Sequence, residues 1–152
     1  AEILTAAERQ GTRVEYVTEE LTLPLGTAEV CVWPPLLPES DGANENGLII
    51  EAAQRDFEAF ILGDAPSKAE KALAASAPMP DAEVLFVAHH GSNTSTCREL
   101  LEAITPETAI ISVGYNTYGH PTQKVLDRLA KYNITVLRTD TDGEITITAG
   151  EG

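Results

Sequence analysis

Basic residues are scarce in this sequence: 10 Lys and Arg stand against 24 Asp and Glu in 152 residues, a formal net charge of -14 at pH 7. A chain this acidic does not grip nucleic acid by broad electrostatics. Cysteine is scarcer still. Cys31 and Cys97 are too few for a disulfide framework and have no CxxC spacing, so they read as two unpaired thiols. No apolar run approaches the roughly 18 residues of a membrane span. No basic-then-apolar leader opens the chain, and Ala1 reads as a processing boundary. A GxSxG elbow, a P-loop and a dinucleotide fingerprint are all missing, which removes the signatures of serine hydrolases and nucleotide cradles.

What the sequence does have is a core-forming composition, with 43% hydrophobic residues, and an uneven spread of charge. Residues 1–88 hold 16 acids and 5 bases, whereas residues 89–140 hold 5 of each. One stretch is therefore spared the general repulsion of anions, and it begins with the two adjacent histidines.

The patterning alternates β-branched runs with helical stretches. A helix is predicted at 3–10, strands at 13–18 and 27–33, and a Pro/Gly/Asn-rich loop at 34–46 between a β-rich part and an α/β part. Strands follow at 47–52 and 57–62, then a helix at 66–76 with Pro66 in its first turn. The nearly all-apolar run 83–88 reads as a strand covered on both faces. Thr96 and Glu99 have capping-box spacing for a helix at 97–104. A strand at 108–113, a helix at 122–131 and strands at 134–138 and 144–148, the last two joined by a turn at 141–143, complete the chain. The order predicts a layered α/β domain spanning 1–152. Its core is predicted from Leu48, Ile49, Ile61, Val84, Leu85, Phe86, Ile110 and Ile111.

Three short motifs sit beside predicted strands, where a rigid element can present a side chain. In Phe60–Asp64 the acid emerges after a strand, as a ligand or as the cap of the next helix. In His89-His90-Gly91-Ser92 the glycine permits a tight turn that frees an imidazole for metal or acid–base work; the plainer alternative is one core and one exposed histidine. In Tyr118-Gly119-His120-Pro121 the histidine stands at a helix entry, where it could also cap or pack. All three histidines of the chain lie in these two motifs. The run Ser92–Thr96 could hold a phosphate near a helix N-terminus or simply form a turn feeding the cap. Asp64 with the histidines fits half of a divalent metal site, since nothing resembling HxHxDH occurs in the chain.

The ordered series Asn44–Ile50, Phe60–Asp64, Val87–Ser92, Ile111–Gly114, Tyr118–Pro121 and Arg138–Gly143 resembles the C-terminal half of metallo-β-lactamase-fold domains, specifically those of ComEC-type DNA-uptake channels. The resemblance implies an αββα sandwich with a dinuclear Zn²⁺ or Mn²⁺ centre that hydrolyses phosphodiesters, DNA in the ComEC type. It implies that Asp64 bridges the metals and that His89 or His90 is a ligand, leaving open which. It also implies His120 near the scissile phosphate, in the ligand shell or as an acid, and Ser92 as a phosphate-side hydroxyl. The protein it implies is bacterial and membrane-bound, with this domain soluble and extracytoplasmic and a channel domain elsewhere.

Two features depart from the family: HxHxDH would lie upstream of Ala1, and Thr122 stands where a second histidine often follows the proline. A fragment lacking its N-terminal half is expected to bind metal weakly, to be inactive alone and to self-associate through the exposed sheet. Two other readings keep the fold: a non-catalytic binding or assembly module, and a hydrolase of small phosphoesters such as choline-phosphate.

Overall fold

A computed structural model describes residues 2–39 and 41–149. Ala1, where the sequence suggests a boundary, Ser40 of the predicted 34–46 loop, and residues 150–152 lie outside the described residues. The elements run α1 (Glu2–Arg9), β1 (Leu21–Leu25), β2 (Ala28–Trp33), β3 (Ile49–Gln54), β4 (Phe57–Ile61), α2 (Ser67–Ser76), β5 (Val84–Phe86), a 3-10 turn (Ala88–Gly91), α3 (Arg98–Ile104), β6 (Thr108–Ile111), α4 (Gln123–Lys131), β7 (Thr135–Arg138) and the single-turn α5 (Thr139–Asp142). No helix among the described residues is long and apolar enough to cross a membrane.

The seven strands form one sheet in sequence order, β1 to β7. Pairs β1–β2, β2–β3 and β3–β4 are antiparallel, and β4–β5, β5–β6 and β6–β7 are parallel. A sheet that always grows in one direction through right-handed crossovers must place α2, α3 and α4 on the same face. The main core lies there: Phe60, Leu85 and Ile111 from the strands meet Leu73, Leu100, Leu101, Ile104, Val125 and Leu129 from the helices. Each such side chain contributes about 1.5–3 kcal/mol of transfer free energy.

Register places the opposite residues on the other face. Leu23 and Val30, Val32 and Ile50, and Ile50 and Ile61 are direct cross-strand pairs. Ala59, Val84 and Ile110 form a small second cluster there with Phe57, Phe86 and Ile145. Among the described residues, no helical side chain belongs to this second cluster. The layered α/β prediction therefore appears as a sheet with α2, α3 and α4 packed on one side.

That asymmetry corrects three members of the predicted core. Ile49, Val84, Leu85, Ile110 and Ile111 are buried, but Leu48 and Ile61 are 45% and 37% exposed and Phe86 is half-buried. Ile61 and Phe86 point to the helix-free face, and Leu48 precedes β3. Three predicted elements also differ. Residues 13–18 form no strand: Val14 and Tyr16 are exposed, and the first strand is instead β1 with Pro24 inside it. As an edge strand β1 tolerates a proline, whose missing N–H is not needed by a second neighbour. Residues 144–148 are irregular, with Ile145 packed on the second cluster.

The hairpin turn expected at 141–143 is replaced by α5. Arg138 donates to Asp140 through Nε and Nη2 at 2.9 and 2.6 Å, and its backbone N–H donates to Asp142 Oδ2 at 2.7 Å. The paired guanidinium holds the Asp140 carboxyl below its usual range, and the Asp140 carboxylate in turn raises the Arg138 guanidinium above its own. Both thiols are free, as the sequence suggests, and burial pushes each up to about 12.

Candidate active site

The loops after the parallel strands converge at one edge of the sheet, where open α/β sheets place their ligands. After β4 the chain runs through Gly63 and Asp64, after β5 through His89 and His90, and after β6 through Ser112 to His120. The backbone joins these loops directly: His89 N–H donates to the Gly63 carbonyl, and Thr122 N–H to the Gly91 carbonyl, both at 2.9 Å. The peptide between His120 and Pro121 is cis.

His89 and His90 both occupy the left-handed region, with φ/ψ of 50/41° and 54/27°. Side-chain-bearing residues avoid it by about 1–2 kcal/mol each. Two in succession are a local strain of the kind that clusters at functional sites. The two rings make different contacts. His90 donates through Nδ1 to the Ser112 carbonyl, 2.7 Å away, and its Nε2 lies 3.8 Å from Asp64 Oδ1. His89 faces His120 edge-on, with ring centroids 5.9 Å apart.

All five predicted site residues can thus be placed. Asp64 does not cap α2: the N-cap of that helix is Pro66, with no side-chain cap, and the Asp64 carboxylate is half exposed toward His90. His89 is half-buried and His90 exposed, so neither is a core histidine. His120 Nδ1 is buried without a hydrogen-bond partner. Ser92 is turned inward: 5% exposed, its Oγ meets Thr94 Oγ1 at 3.0 Å. Its hydroxyl sits inside a turn rather than toward the histidines.

Support for this edge comes from residues that sequence reading missed. Glu70 is fully buried and accepts from the backbone N–H groups of Thr96 and Cys97 at 2.6 and 2.7 Å. Arg128 Nη1 donates to the Ser95 carbonyl at 2.9 Å and also to the Thr96 carbonyl. Ser95 Oγ donates to the Ala88 carbonyl at 2.8 Å, one residue before the histidine pair. The predicted capping box is therefore not formed: Cys97 is the N-cap without a side-chain bond, and Thr96 Oγ1 is buried and unpaired. Glu70 takes over the capping from α2. Burial raises its carboxyl, while the Cys97 and Thr96 N–H groups and the nearby Arg128 oppose that rise. Its signal in the sequence was its place three residues before Leu73, on the apolar side of α2.

Asn116 was also missed, and nothing in its spacing announces it. Its Nδ2 donates to the Gly114 and His120 carbonyls at 2.9 and 2.8 Å, and its Oδ1 accepts from His120 N–H at 3.0 Å. Thr139 Oγ1 accepts from Val113 N–H at 2.8 Å and donates to the Val113 carbonyl at 2.7 Å.

His90 and His120 open onto a cavity of about 360 Å³ that Ser112, Tyr115 and Tyr118 also line. Asp64 with His90 Nε2 makes a carboxylate–imidazole pair of the kind that ligates divalent metals. The Nδ1 contact to a backbone carbonyl is the usual device for aiming the other ring nitrogen. Among the described residues no three His, Cys, Asp or Glu side chains are grouped to hold a metal ion. The arrangement fits part of a metal site, and His120 Nδ1 is a further orphaned nitrogen beside it.

No protein-family profile matches the chain. It is 35% identical over 144 residues to ComE operon protein 3 of Bacillus subtilis (strain 168), covering 94% of this chain and 19% of that protein. It is 39% identical over 95 residues to competence protein ComA of Neisseria gonorrhoeae, covering 61% of this chain and 14% of that protein. With recombination protein 2 of Haemophilus influenzae it shares 33% over 105 residues, 68% of this chain and 13% of the relative. The chain spans at most about a fifth of the length of these curated relatives. Among solved structures, the diiron β-hydroxylase CmlA of Streptomyces venezuelae superposes with a TM-score of 0.56 at 13% identity, over 80% of this chain and 32% of that one. That likeness concerns the fold alone, which is of the metallo-β-lactamase type. The chain belongs to the ComEC family of competence proteins and has a fold of the metallo-β-lactamase type.

Proposed function

We propose that this chain is the C-terminal half of a metal-dependent phosphodiesterase domain, a nuclease of a DNA-uptake protein. In this reading residues 1–152 form part of one soluble, extracytoplasmic domain beside a membrane channel. The observation that carries it is the convergence of Asp64, His89, His90 and His120 at one sheet edge, with His90 Nε2 3.8 Å from Asp64 Oδ1. Asp64 and His90 would hold a divalent cation, Zn²⁺ or Mn²⁺, two ions being completed by ligands from the preceding half of the domain. Bound there, such ions supply a water of lowered pKa and positive charge for the phosphoryl group.

The chain's own residues do the positioning. The Ser112 carbonyl fixes the His90 ring, Asn116 fixes the His120 backbone, and Glu70 with Arg128 braces the turn that carries the histidine pair. His120, which lines the cavity, would exchange a proton with a substrate oxygen. Ser92 would serve as a phosphate-side hydroxyl only after leaving its bond to Thr94. The helix-free face of the sheet would receive the preceding half of the domain, and a second copy in its absence.

The test uses the full-length protein with Mn²⁺ or Zn²⁺, plasmid DNA and bis-p-nitrophenyl phosphate. Hydrolysis of both is expected, abolished by Asp64→Ala and by His90→Ala without a change in thermal melting. Full activity in either variant would overturn the ligand assignment. Turnover of small phosphoesters such as choline-phosphate without DNA would move the substrate, not the site. A non-catalytic module is the second reading, favoured by the incomplete ligand set; no hydrolysis of any phosphodiester would establish it.

A further inference from the structure

We infer that Tyr115 and Tyr118 form a stacking platform that holds a base of single-stranded DNA beside the histidines, an inference that rests on the phosphodiesterase reading and adds the substrate's conformation to it. Two of the four tyrosines lie within four residues on one loop and are 100% and 82% exposed. Exposure of one aromatic ring is ordinary; two together on the rim of a cavity are a candidate contact surface. The loop that carries them is held rigid. Asn116 between them bonds to the Gly114 and His120 carbonyls and to the His120 N–H. Rings presented on a fixed loop lose little freedom on binding.

The placement of the rings points to what they hold. Tyr118 is loosely stacked on His120, with centroids 6.1 Å apart and planes at 27°, so its ring stands beside the proposed catalytic one. Both tyrosines line the cavity of about 360 Å³ that His90 and His120 also line. That volume lies near the low end of the roughly 300–1,000 Å³ of small-ligand sites, room for one nucleotide unit rather than a duplex.

Charge selects the ligand further. The chain carries 24 Asp and Glu, yet none lines this cavity; its walls are His90, His120, Ser112, Asn116, Thr139, the tyrosines and small or apolar residues. In a chain of net charge -14, a pocket without carboxylates in its walls is one where an anion meets little local repulsion, and here two imidazoles line it. Without lysine or arginine in the walls, affinity has to come from elsewhere than the backbone charge. Stacking supplies it, tolerates any base, and requires base faces that a duplex keeps covered.

The experiment uses the full-length protein carrying Asp64→Ala to silence hydrolysis, with fluorescent oligodeoxythymidine and an abasic oligonucleotide of equal length as probes. The thymidine strand is expected to bind about tenfold or more tightly than the abasic one. Tyr115→Ala with Tyr118→Ala should erase that difference, and Tyr115→Phe with Tyr118→Phe should keep it, because the ring and not the hydroxyl stacks. Equal binding of the two probes, or a preference that survives the double alanine variant, would overturn the platform. Cleavage of the same strand by the Asp64-intact protein is read separately. Cleavage with tyrosine-independent binding refutes the platform and leaves the nuclease; base-dependent binding without cleavage does the reverse.

Discussion

Gly91 and Pro121 are packed so closely that a β-carbon on the glycine would sit 2.6 Å from the proline Cβ and 3.0 Å from its Cα. The contact fixes the distance between the turn carrying His89 and His90 and the loop carrying His120. Gly91 also has φ +79°, a conformation that disfavours a side chain. Gly91→Ala is therefore expected to destabilise the chain by about 1–3 kcal/mol through overpacking. Because the strain falls between the two motifs, the variant should also lose the proposed metal-dependent hydrolysis in the full-length protein out of proportion to its stability. Chemical denaturation and an activity assay on the same preparation would check this; wild-type behaviour in both would mean that the loops are not coupled through this contact.

Glu70 should be the most sensitive polar residue of the helix layer. Its carboxylate satisfies two backbone donors, and each donor left buried and unpaired costs about 1–3 kcal/mol. Glu70→Ala orphans the N–H groups of both Thr96 and Cys97. Urea unfolding should show a loss of several kcal/mol. Glu70→Gln, which keeps one acceptor oxygen, should lose clearly less. Equal loss in both variants would assign the effect to the charge near Arg128 rather than to the capping.

The sequence carried the parallel half of the fold legibly and the antiparallel edge poorly, for physical reasons. Apolar runs such as 83–88 and 108–113 have both faces in contact with something, so composition alone marks them as strands. Leu21–Leu25 carries Pro24, which reads as a breaker; only knowledge that β1 is an edge removes the objection. The core prediction erred where it treated every strand residue as covered, because Ile61 and Phe86 belong to the face without helices. Asp64, His89, His90 and His120 were legible as motifs, since short polar sequences after apolar strands stand out. Asn116 and Glu70 were not, because their roles depend on backbone groups of other segments: His120 and Gly114 for the one, Thr96 and Cys97 for the other.

Stability should fall as the pH rises from about 4.5 to above 7, and Glu58 is the reason. Burial, then the neighbouring Glu51 and Glu83 carboxylates, raise its carboxyl from the usual 4.5 to about 7. Its Oε2 is buried without a partner. Between those two values the folded chain keeps a proton that the unfolded chain has released, so unfolding releases protons and stability declines with pH. Above about 7 the loss is complete. Glu58→Gln should flatten the pH profile of the melting temperature over this window. A variant profile parallel to the wild type would locate the titrating group elsewhere.

The helix-free face should govern how this chain behaves by itself. Leu23, Leu25 and Ile61 are 46%, 68% and 37% exposed, and the strands that carry them adjoin a shallow groove of about 320 Å³ lined by Ala52, Phe57, Val84, Phe86 and Ile147. A continuous apolar sheet surface of this kind seeks a second sheet. The 152-residue chain is expected to associate in sedimentation velocity as its concentration is raised. Leu23→Lys with Leu25→Lys should restore the monomer while leaving the melting temperature nearly unchanged, since neither residue belongs to the helix-side core. Extending the chain by the proposed preceding half of the domain should abolish association without any substitution, because that half would occupy the same face. A monomer at every concentration would mean that the C-terminal segment, with Ile145 packed on the second cluster and Ile147 over the groove, covers enough of the sheet. Deleting residues 144–149 would then be the change that brings association back.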